Sequence, residues 1–269
     1  MNQNMEAPLG VPLDRPSHAR IYDYLLGGYH NFEIDRIVAE QVIKVLPDAR
    51  LSALINRAFL RRVVHFLIAQ GIDQFLDIGS GLPTVGNVHL VAQAANPAAR
   101  IVYVDIDPIA VAHSLAILKD NPKATAIQAD VRQPDQILNH PEVRRLLDFG
   151  KPLGLLLIAI LHTVTDDQRA YDAVRVLRDA LAPGSYLAIC HATNESSARE
   201  AIQQAMNVAR AASDSKMRTR AEIERFFEGL ELVEPGVVYV PSWRPEGPDD
   251  LFLDCPDRSL GLAGIGRKP

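Results

Sequence analysis

Apolar positions along this chain follow three successive rhythms. Up to about residue 71 they recur every three or four residues, the spacing of one helix face. Ile21, Tyr24 and Leu25 mark a short helix that stops at Gly27-Gly28, and a second helix is predicted over 33–45, before Pro47. Asn56 is placed as the N-cap of a third, which carries Phe59, Leu60, Val63 and Leu67 on one side and ends at Gly71.

From residue 75 short apolar runs alternate with helical stretches. Strands are predicted over 75–78, 100–104, 125–128, 153–160 and 186–189. Helices are expected between them: one over 85–95, one opened by Asp107-Pro108, and one with Tyr171, Val174, Leu177 and Leu181 on one face, closed by Pro183-Gly184. Thr219-Arg-Ala-Glu222 has the spacing of a capping box and opens a helix that ends near Gly229. The third rhythm is β-rich, with runs at 230–233 and 237–240 separated by Pro235-Gly236, and a last run at 260–266. Such alternation implies an α/β fold with a mostly parallel sheet, right-handed crossovers and an antiparallel addition at one edge. No linker divides the chain. Residues 1–71 read as a helical extension packed on a core domain of 72–269.

Composition narrows the class. A chain of 269 residues with 48% apolar content can bury a full core. The formal charge of −5 argues against a broad electrostatic grip on nucleic acid, so no nucleic-acid partner is expected. Cys190 and Cys255 form no CxxC pair and fit a reducing cytoplasm. Residues 1–16 are polar and Pro-bearing, unlike a signal peptide, and the longest apolar run, 153–161, is too short for a bilayer. A cytoplasmic location without membrane association is therefore expected.

Candidate chemistry clusters where strands are predicted to end. In Gln74-Phe-Leu-Asp-Ile-Gly-Ser-Gly81 an apolar strand breaks into glycines just before a helix, and Gly79 and Gly81 let backbone approach a ligand closely. Asp105 closes the next strand, near the roughly 20-residue spacing of an acid that binds ribose hydroxyls. A carboxylate suits that task because it accepts two hydrogen bonds from a vicinal diol. Asp107, before Pro108, is explained as an N-cap, and Asp166 likewise. Asp130 ends the third strand, where an acid can accept from an adenine amino group while the Val131 backbone reads the ring edge. His162 follows the fourth strand and is the candidate base. No histidine has a partner at zinc spacing, so no metal is expected. Arg20, Tyr22, Tyr24 and Tyr29 crowd an aromatic N-terminal segment that is read as a lid over a planar ligand, hinged at Gly27-Gly28. Trp243 and Arg244 are read as lining the same mouth.

With these residues in view, the chain resembles class I S-adenosylmethionine-dependent methyltransferases. More narrowly, it is similar to a bacterial S-adenosyl methyltransferase family first catalogued as a domain of unknown function. The matching blocks are Ala19-Arg-Ile-Tyr-Asp-Tyr-Leu-Leu-Gly-Gly28, Asn56-Arg-Ala-Phe-Leu60, and Phe75-Leu-Asp-Ile-Gly-Ser-Gly-Leu-Pro-Thr84. Further blocks are Val102-Tyr-Val-Asp105 with Asp107-Pro108, Leu161-His162, Pro183-Gly-Ser185 and Trp243-Arg-Pro245. The resemblance implies a Rossmann-like, seven-stranded sheet whose last strand is antiparallel, and S-adenosyl-L-methionine as cofactor. It implies that Gly79, Ser80 and Gly81 pass beneath the methionine part, that Asp105 holds the ribose and Asp130 the adenine amino group, and that Asp77 helps place the cofactor's amino group. The expected acceptor is a small molecule, methylated by in-line transfer. Two alternatives stand beside this reading: a nicotinamide-dependent oxidoreductase, and a non-catalytic protein that binds S-adenosylmethionine or S-adenosylhomocysteine. The first is disfavoured by Thr84 where a third small residue is wanted and by the lack of a Tyr-x-x-x-Lys pair after the fourth strand.

Overall fold

The computed structural model describes residues 15–82, 86–247 and 250–269. Three helices lead the chain: α1 (His18–Leu25), α2 (Glu33–Val45) and α3 (Ala49–Ala69). The sheet is then built from β1 (Gln74–Ile78), β2 (Arg100–Asp105), β3 (Ala124–Gln128), β4 (Gly154–Ile158) and β5 (Tyr186–Ala192). Their intervening helices are α4 (Val88–Ala95), α5 (Pro108–Ile117), α6 (Pro134–Leu138), α7 (Pro141–Leu146) and α8 (Asp167–Asp179). After β5 come α9 (Arg199–Val208), α10 (Arg220–Glu224), β6 (Glu231–Leu232), β7 (Val238–Tyr239) and β8 (Gly261–Arg267).

The strand order is β3-β2-β1-β4-β5-β8, with β6 and β7 both paired to the outer side of β8. Strands β1 to β5 run parallel, and β8 is antiparallel to β5 and to β6 and β7. The expected α/β class and mostly parallel sheet are therefore found, with eight strands where seven are implied. The extra one arises because the edge strand is broken in two around Pro235-Gly236. Order reverses between β1 and β4, and a crevice opens at the carboxyl ends of strands on either side of such a switch point.

Alternation explains how both faces are covered. Phe75, Ile101, Tyr103 and Leu156 point to one side, where α3 supplies Phe59, Val63 and Leu67 and α4 supplies Val88 and Ala92. Leu76, Val102, Val104, Leu155 and Leu157 point to the other, against residues of α6, α7 and α8 such as Ile137, Val143 and Val174. Each such fully buried side chain is worth about 1.5–3 kcal/mol of transfer free energy. A third apolar cluster joins Ile21 of α1, Val38, Ala39 and Val42 of α2, and Ile202 and Ala205 of α9.

Several boundaries differ from expectation. Helix α3 begins at Ala49 rather than after Asn56, because Ala49 and Ala53 continue its buried face with little hydrophobic signal. Asn56 is thus mid-helix, and its Nδ2 donates to Tyr22 Oη at 2.9 Å. Helix α4 starts at Val88 with N-cap Asn87; Thr84 and the proposed helix start at Val85 lie outside the described residues, as do residues 1–14. Three helices without an expectation, α6, α7 and α9, are also present. Trp243 does not face a ligand: it is fully buried, edge-on to Phe59 and Phe66 at 5.5 and 5.8 Å. Arg244 stacks over Phe66 at 4.4 Å and Trp243 at 5.4 Å, and neither residue borders the cavity described next.

Candidate functional site

A cavity of about 690 Å³ lies across the carboxyl ends of the central strands and continues under α1, α2 and α9. Its first half is made by the ends of strands. Gly79 (φ 75°) and Gly81 (φ 64°) both adopt the left-handed region. A side chain at 79 would place its Cβ 2.5 Å from the Ile160 side chain, so the turn needs glycine for space as well as conformation. The Gly79 and Ser80 amides both donate to Val104 O, at 2.8 and 3.2 Å, and Gly81 N donates to Asp105 Oδ2 at 2.7 Å. Asp105 Oδ1 accepts from Asp107 N at 2.9 Å. Burial pushes the Asp105 carboxyl up to about 6 against these amide hydrogen bonds, which favour the ionised form.

Asp77, one residue before the end of β1, is buried beside them. Desolvation pushes it up to about 7, with Arg57 pulling the other way and Asp105 adding repulsion. Arg57 itself projects from α3 into the cavity above the Tyr22 ring, 5.3 Å from its centroid. Its Nε is buried without a hydrogen-bond partner. Asp130 lines the same half, where its carboxylate is gripped by Arg132 through contacts of 2.6 to 2.9 Å. Burial works to raise the Asp130 pKa, but the Arg132 hydrogen bonds outweigh it and hold the carboxyl below its ordinary value. Val131 lies beside it on the cavity wall.

Asp107 does more than cap. Its Oδ1 accepts from Ile109 N at 2.8 Å, as an N-cap should, while Oδ2 receives the Ser17 hydroxyl and Arg20 Nη1, the latter at 3.2 Å. Arg20 also donates to Asp35 Oδ2 at 2.8 Å. It therefore borders the cavity with its charge already spent on docking α1 to α2 and to the turn after β2. Tyr22 also borders it, its hydroxyl donating to Ala53 O at 3.1 Å. The other two lid tyrosines are not brought to the cavity. Tyr24 Oη bonds Glu40 at 2.6 Å under Arg50, and Tyr29 is 82% exposed. The reason is helical geometry: Tyr24 stands two positions from Tyr22, on another side of α1, and Tyr29 lies past the turn at Gly27-Gly28.

The second half of the cavity is helical and mostly apolar, with Val42, Leu46, Ile202, Ala205 and Met206 among its walls. His162, on a short 3₁₀ turn after β4 (Leu161–Thr163), borders it. Burial, then the neighbouring His191, His18 and Arg218, hold the His162 pKa well below its ordinary value, so the imidazole is neutral. Its Nδ1 is buried and unpartnered. Behind it, burial drives His191 down to about 4. His191 Nε2 accepts from Arg218 Nη1 at 2.7 Å, which assigns the ring proton to Nδ1, bonded to Ala192 O at 2.7 Å. Arg218 is fully buried and also donates to Leu161 O at 3.1 Å and Val164 O at 2.8 Å, and pairs with Asp167 at 3.0 Å. It thus ties down the turn that carries His162. Asp166 caps α8 through Arg169 N at 3.0 Å, as expected.

Sequence reasoning missed His18, Ser52, Arg57 and Arg218, and gave Asn56 only a capping role. The signals available were thin: Arg57 and Asn56 fall within one matching block, and Ile202, Ala205, Met206 and Ala209 have helical spacing.

A glycine turn after β1, an acid ending β2 and a second acid after β3 define a nucleoside-binding α/β domain at its switch point. The turn has no room for a Cβ at 79, and the orphaned Arg57 stands near the buried Asp77, so a cofactor with an adenosyl group and an amino-acid end fits the donors present. The S-adenosyl methyltransferase family pattern matches residues 5–269, and the chain belongs to that family. It is an S-adenosylmethionine-dependent methyltransferase, and S-adenosylmethionine is its cofactor. A Thermobifida fusca protein assigned provisionally as a methyltransferase is 48% identical over 97% of this chain and 98% of its own, with a TM-score of 0.90. A DUF574 family protein from Streptomyces avermitilis is 37% identical over 95% of this chain and 98% of its own, with a TM-score of 0.88. The pyocyanin biosynthetic protein PhzM, 17% identical over 86% of this chain and 61% of its own, shares the fold alone at a TM-score of 0.50. Among curated proteins none matches. The family decides against a nicotinamide-dependent oxidoreductase. No helix among the described residues is long and apolar enough to cross a membrane.

Proposed function

We propose that this enzyme transfers the methyl group of S-adenosylmethionine in line onto a small-molecule acceptor held in the helical half of the cavity. One observation carries the reading: a single cavity joins a strand-end half suited to a nucleoside with an apolar half walled by α1, α2 and α9. Enclosure by those helices supports a small molecule over a polymer, and no nucleic acid is expected as substrate. When bound, the cofactor supplies an activated methyl group on a sulfonium. The protein's work is then to align the acceptor and exclude water.

In this reading Asp105 accepts from the ribose hydroxyls and Asp130 from the adenine amino group, with the Val131 backbone at the ring edge. Gly79, Ser80 and Gly81 pass beneath the methionine part. Its amino-acid end carries both signs of charge, and Asp77 and Arg57 supply the two opposite charges. His162 receives a proton where the acceptor atom carries one. Arg20 and Tyr22 brace the lid wall, while Tyr24 and Tyr29 take no part.

Methyl-labelled S-adenosylmethionine incubated with the enzyme and size-fractionated cell extract tests the acceptor class. Label is expected in compounds below about the size of a cofactor. Label confined to protein or RNA overturns the small-molecule reading, and binding of the cofactor with no transfer in any fraction favours the non-catalytic one.

A further inference from the structure

Buried polar atoms without partners are rare in folded proteins, because each has given up its hydrogen bonds to water and gained none in return. Here five of them line one cavity: His18 Nε2, Ser52 Oγ, Asn56 Oδ1, Arg57 Nε and His162 Nδ1. Arg57 is accounted for by the cofactor reading above. The two histidines stand out among the rest. They belong to segments far apart in sequence, α1 and the turn after β4, yet their ring centroids are 6.3 Å apart. The rings stand edge to face, and each carries one buried nitrogen without a partner, Nε2 of His18 and Nδ1 of His162.

The chemistry of the pair selects what sits there. Burial lowers the His18 pKa, partly offset by a backbone hydrogen bond with Ser213, and His162 is lowered further. Each ring is therefore neutral: Ser213 takes the His18 N–H and leaves its Nε2 as a lone pair, while His162 Nδ1 offers an N–H or a lone pair according to its tautomer. A hydroxyl uses both kinds of partner, since it donates once and accepts. An ether donates nothing and an ammonium accepts nothing. Charge points the same way. Among the described residues, the carboxylates bordering the cavity, Asp77, Asp105, Asp107 and Asp130, all belong to its strand-end half, and none lies on the α2 and α9 walls. The Arg218 guanidinium stands behind His191 and helps to lower the His162 pKa. A protonated amine would be desolvated there beside a charge of its own sign.

We propose that the His18–His162 pair receives an acidic hydroxyl, phenolic or enolic, on an otherwise apolar acceptor, and that this oxygen is the methylated atom. The inference rests on the methyltransferase reading above. As the oxygen forms its bond to the methyl carbon, the carbon–sulfur bond breaks with its electron pair going to sulfur, and the hydroxyl proton passes to the imidazole nitrogen that accepted it. A neutral imidazole is the form that can take the hydroxyl proton, and an acidic hydroxyl gives that proton up most readily.

The test is calorimetric binding of 2-naphthol, 2-methoxynaphthalene and 2-naphthylmethylamine at pH 7.5, with and without S-adenosylhomocysteine. The naphthol is expected to bind about tenfold tighter than its methyl ether, as two modest hydrogen bonds allow. It is expected to outbind the amine by more. In His18→Phe and in His162→Phe the preference for naphthol over its ether should fall to nearly one, while the ether's own affinity stays within about threefold. A naphthol preference that survives in both variants overturns the assignment. So does an amine that binds at least as well as the naphthol, or a cavity that binds none of the three. Failure of S-adenosylhomocysteine itself to bind breaks the cofactor reading separately, because the probe ranking is also measured without it.

Discussion

The two halves of the cavity are built on opposite plans. In the strand-end half, polar groups answer one another within the protein: Gly81 N and Asp107 N hold Asp105, Arg132 holds Asp130, and Arg20 holds Asp107. In the helical half His18 Nε2, Ser52 Oγ and His162 Nδ1 are buried without partners, and the rigidity comes from behind, where Arg218 fastens the turn after β4. A site that keeps one ligand across many acceptors can afford a finished cradle for that ligand. The acceptor side is finished only by what enters it. The contrast is open to attack at four points.

The harshest is Arg218→Met. It strips donors from Leu161 O, Val164 O and His191 Nε2, three buried acceptors, at an expected cost of about 4 kcal/mol. For a chain of this size that lowers Tm by roughly 10 °C in a thermal melt. Cofactor binding measured well below Tm should survive, because the strand-end half does not use Arg218; loss of both together would show that the halves are not separately supported.

Next is Asp105→Ala, which removes the carboxylate assigned to the ribose and the acceptor for two backbone amides. S-adenosylhomocysteine affinity should fall by about a hundredfold or more by calorimetry, at up to about 3 kcal/mol per charge-assisted bond. A loss of less than tenfold would remove Asp105 from the ribose.

Arg57→Gln is milder and more selective. It should weaken S-adenosylhomocysteine by about ten- to thirtyfold, the worth of one hydrogen bond to a charged group. Binding of decarboxylated S-adenosylmethionine, which keeps the amine and lacks the carboxylate, should be unaffected. Equal losses for both ligands would mean that Arg57 serves the acceptor or the fold.

The smallest effect is a fraction of a proton. Asp77 and Asp105, raised to about 7 and about 6, are partly protonated near neutrality when they face only Arg57, one another and Asp107. These two carboxyls take up protons on folding, so their own contribution to stability falls as pH rises from about 4 through 7, while the buried neutral histidines such as His162 and His191 contribute with the opposite sign. A ligand's ammonium and hydroxyls favour the ionised carboxylates. Binding should release protons between pH 6 and 7, and affinity should climb over that interval and then level off. Calorimetry in two buffers of different ionisation enthalpy reads the release directly, and proton uptake would reverse the assignment of Asp77.

Legibility in the sequence divides along the same line as the cavity. The strand-end half is local: a strand, a glycine turn, an acid one strand later, each spelled out within a few residues of a predicted boundary. The helical half gathers His18, Ser52, His162 and α9 from across the chain, and nothing near any of them in sequence marks the others. Helix α9 has a helical period, but Ala205 among its three wall positions, and Ala209 just past its end, add little hydrophobic signal. The same weakness at Ala49 and Ala53 hid the first two turns of α3 and turned Asn56 into a false cap. Trp243 misled for another reason. A lone Trp next to an Arg reads as a ligand platform, whereas here the indole fills the space between α3 and the sheet, and Arg62 holds its loop by donating to Val240 O and Trp243 O at 2.9 Å. Tyr22 and Tyr24 could not be separated without knowing which side of α1 faces inward.

The divided edge of the sheet has a bearing on how the enzyme behaves in a crowded solution. A long, flat outer strand is a template on which another chain can add by backbone pairing, and stacked additions of that kind grow into fibres. Here the outer position is filled by β6 and β7, two residues each, with Pro235-Gly236 between them. A would-be partner meets at most two residues of regular strand before the pairing pattern is lost. That border of the molecule is a poor template for sheet-to-sheet growth, because its backbone is broken where a partner strand would need a continuous row of pairing groups.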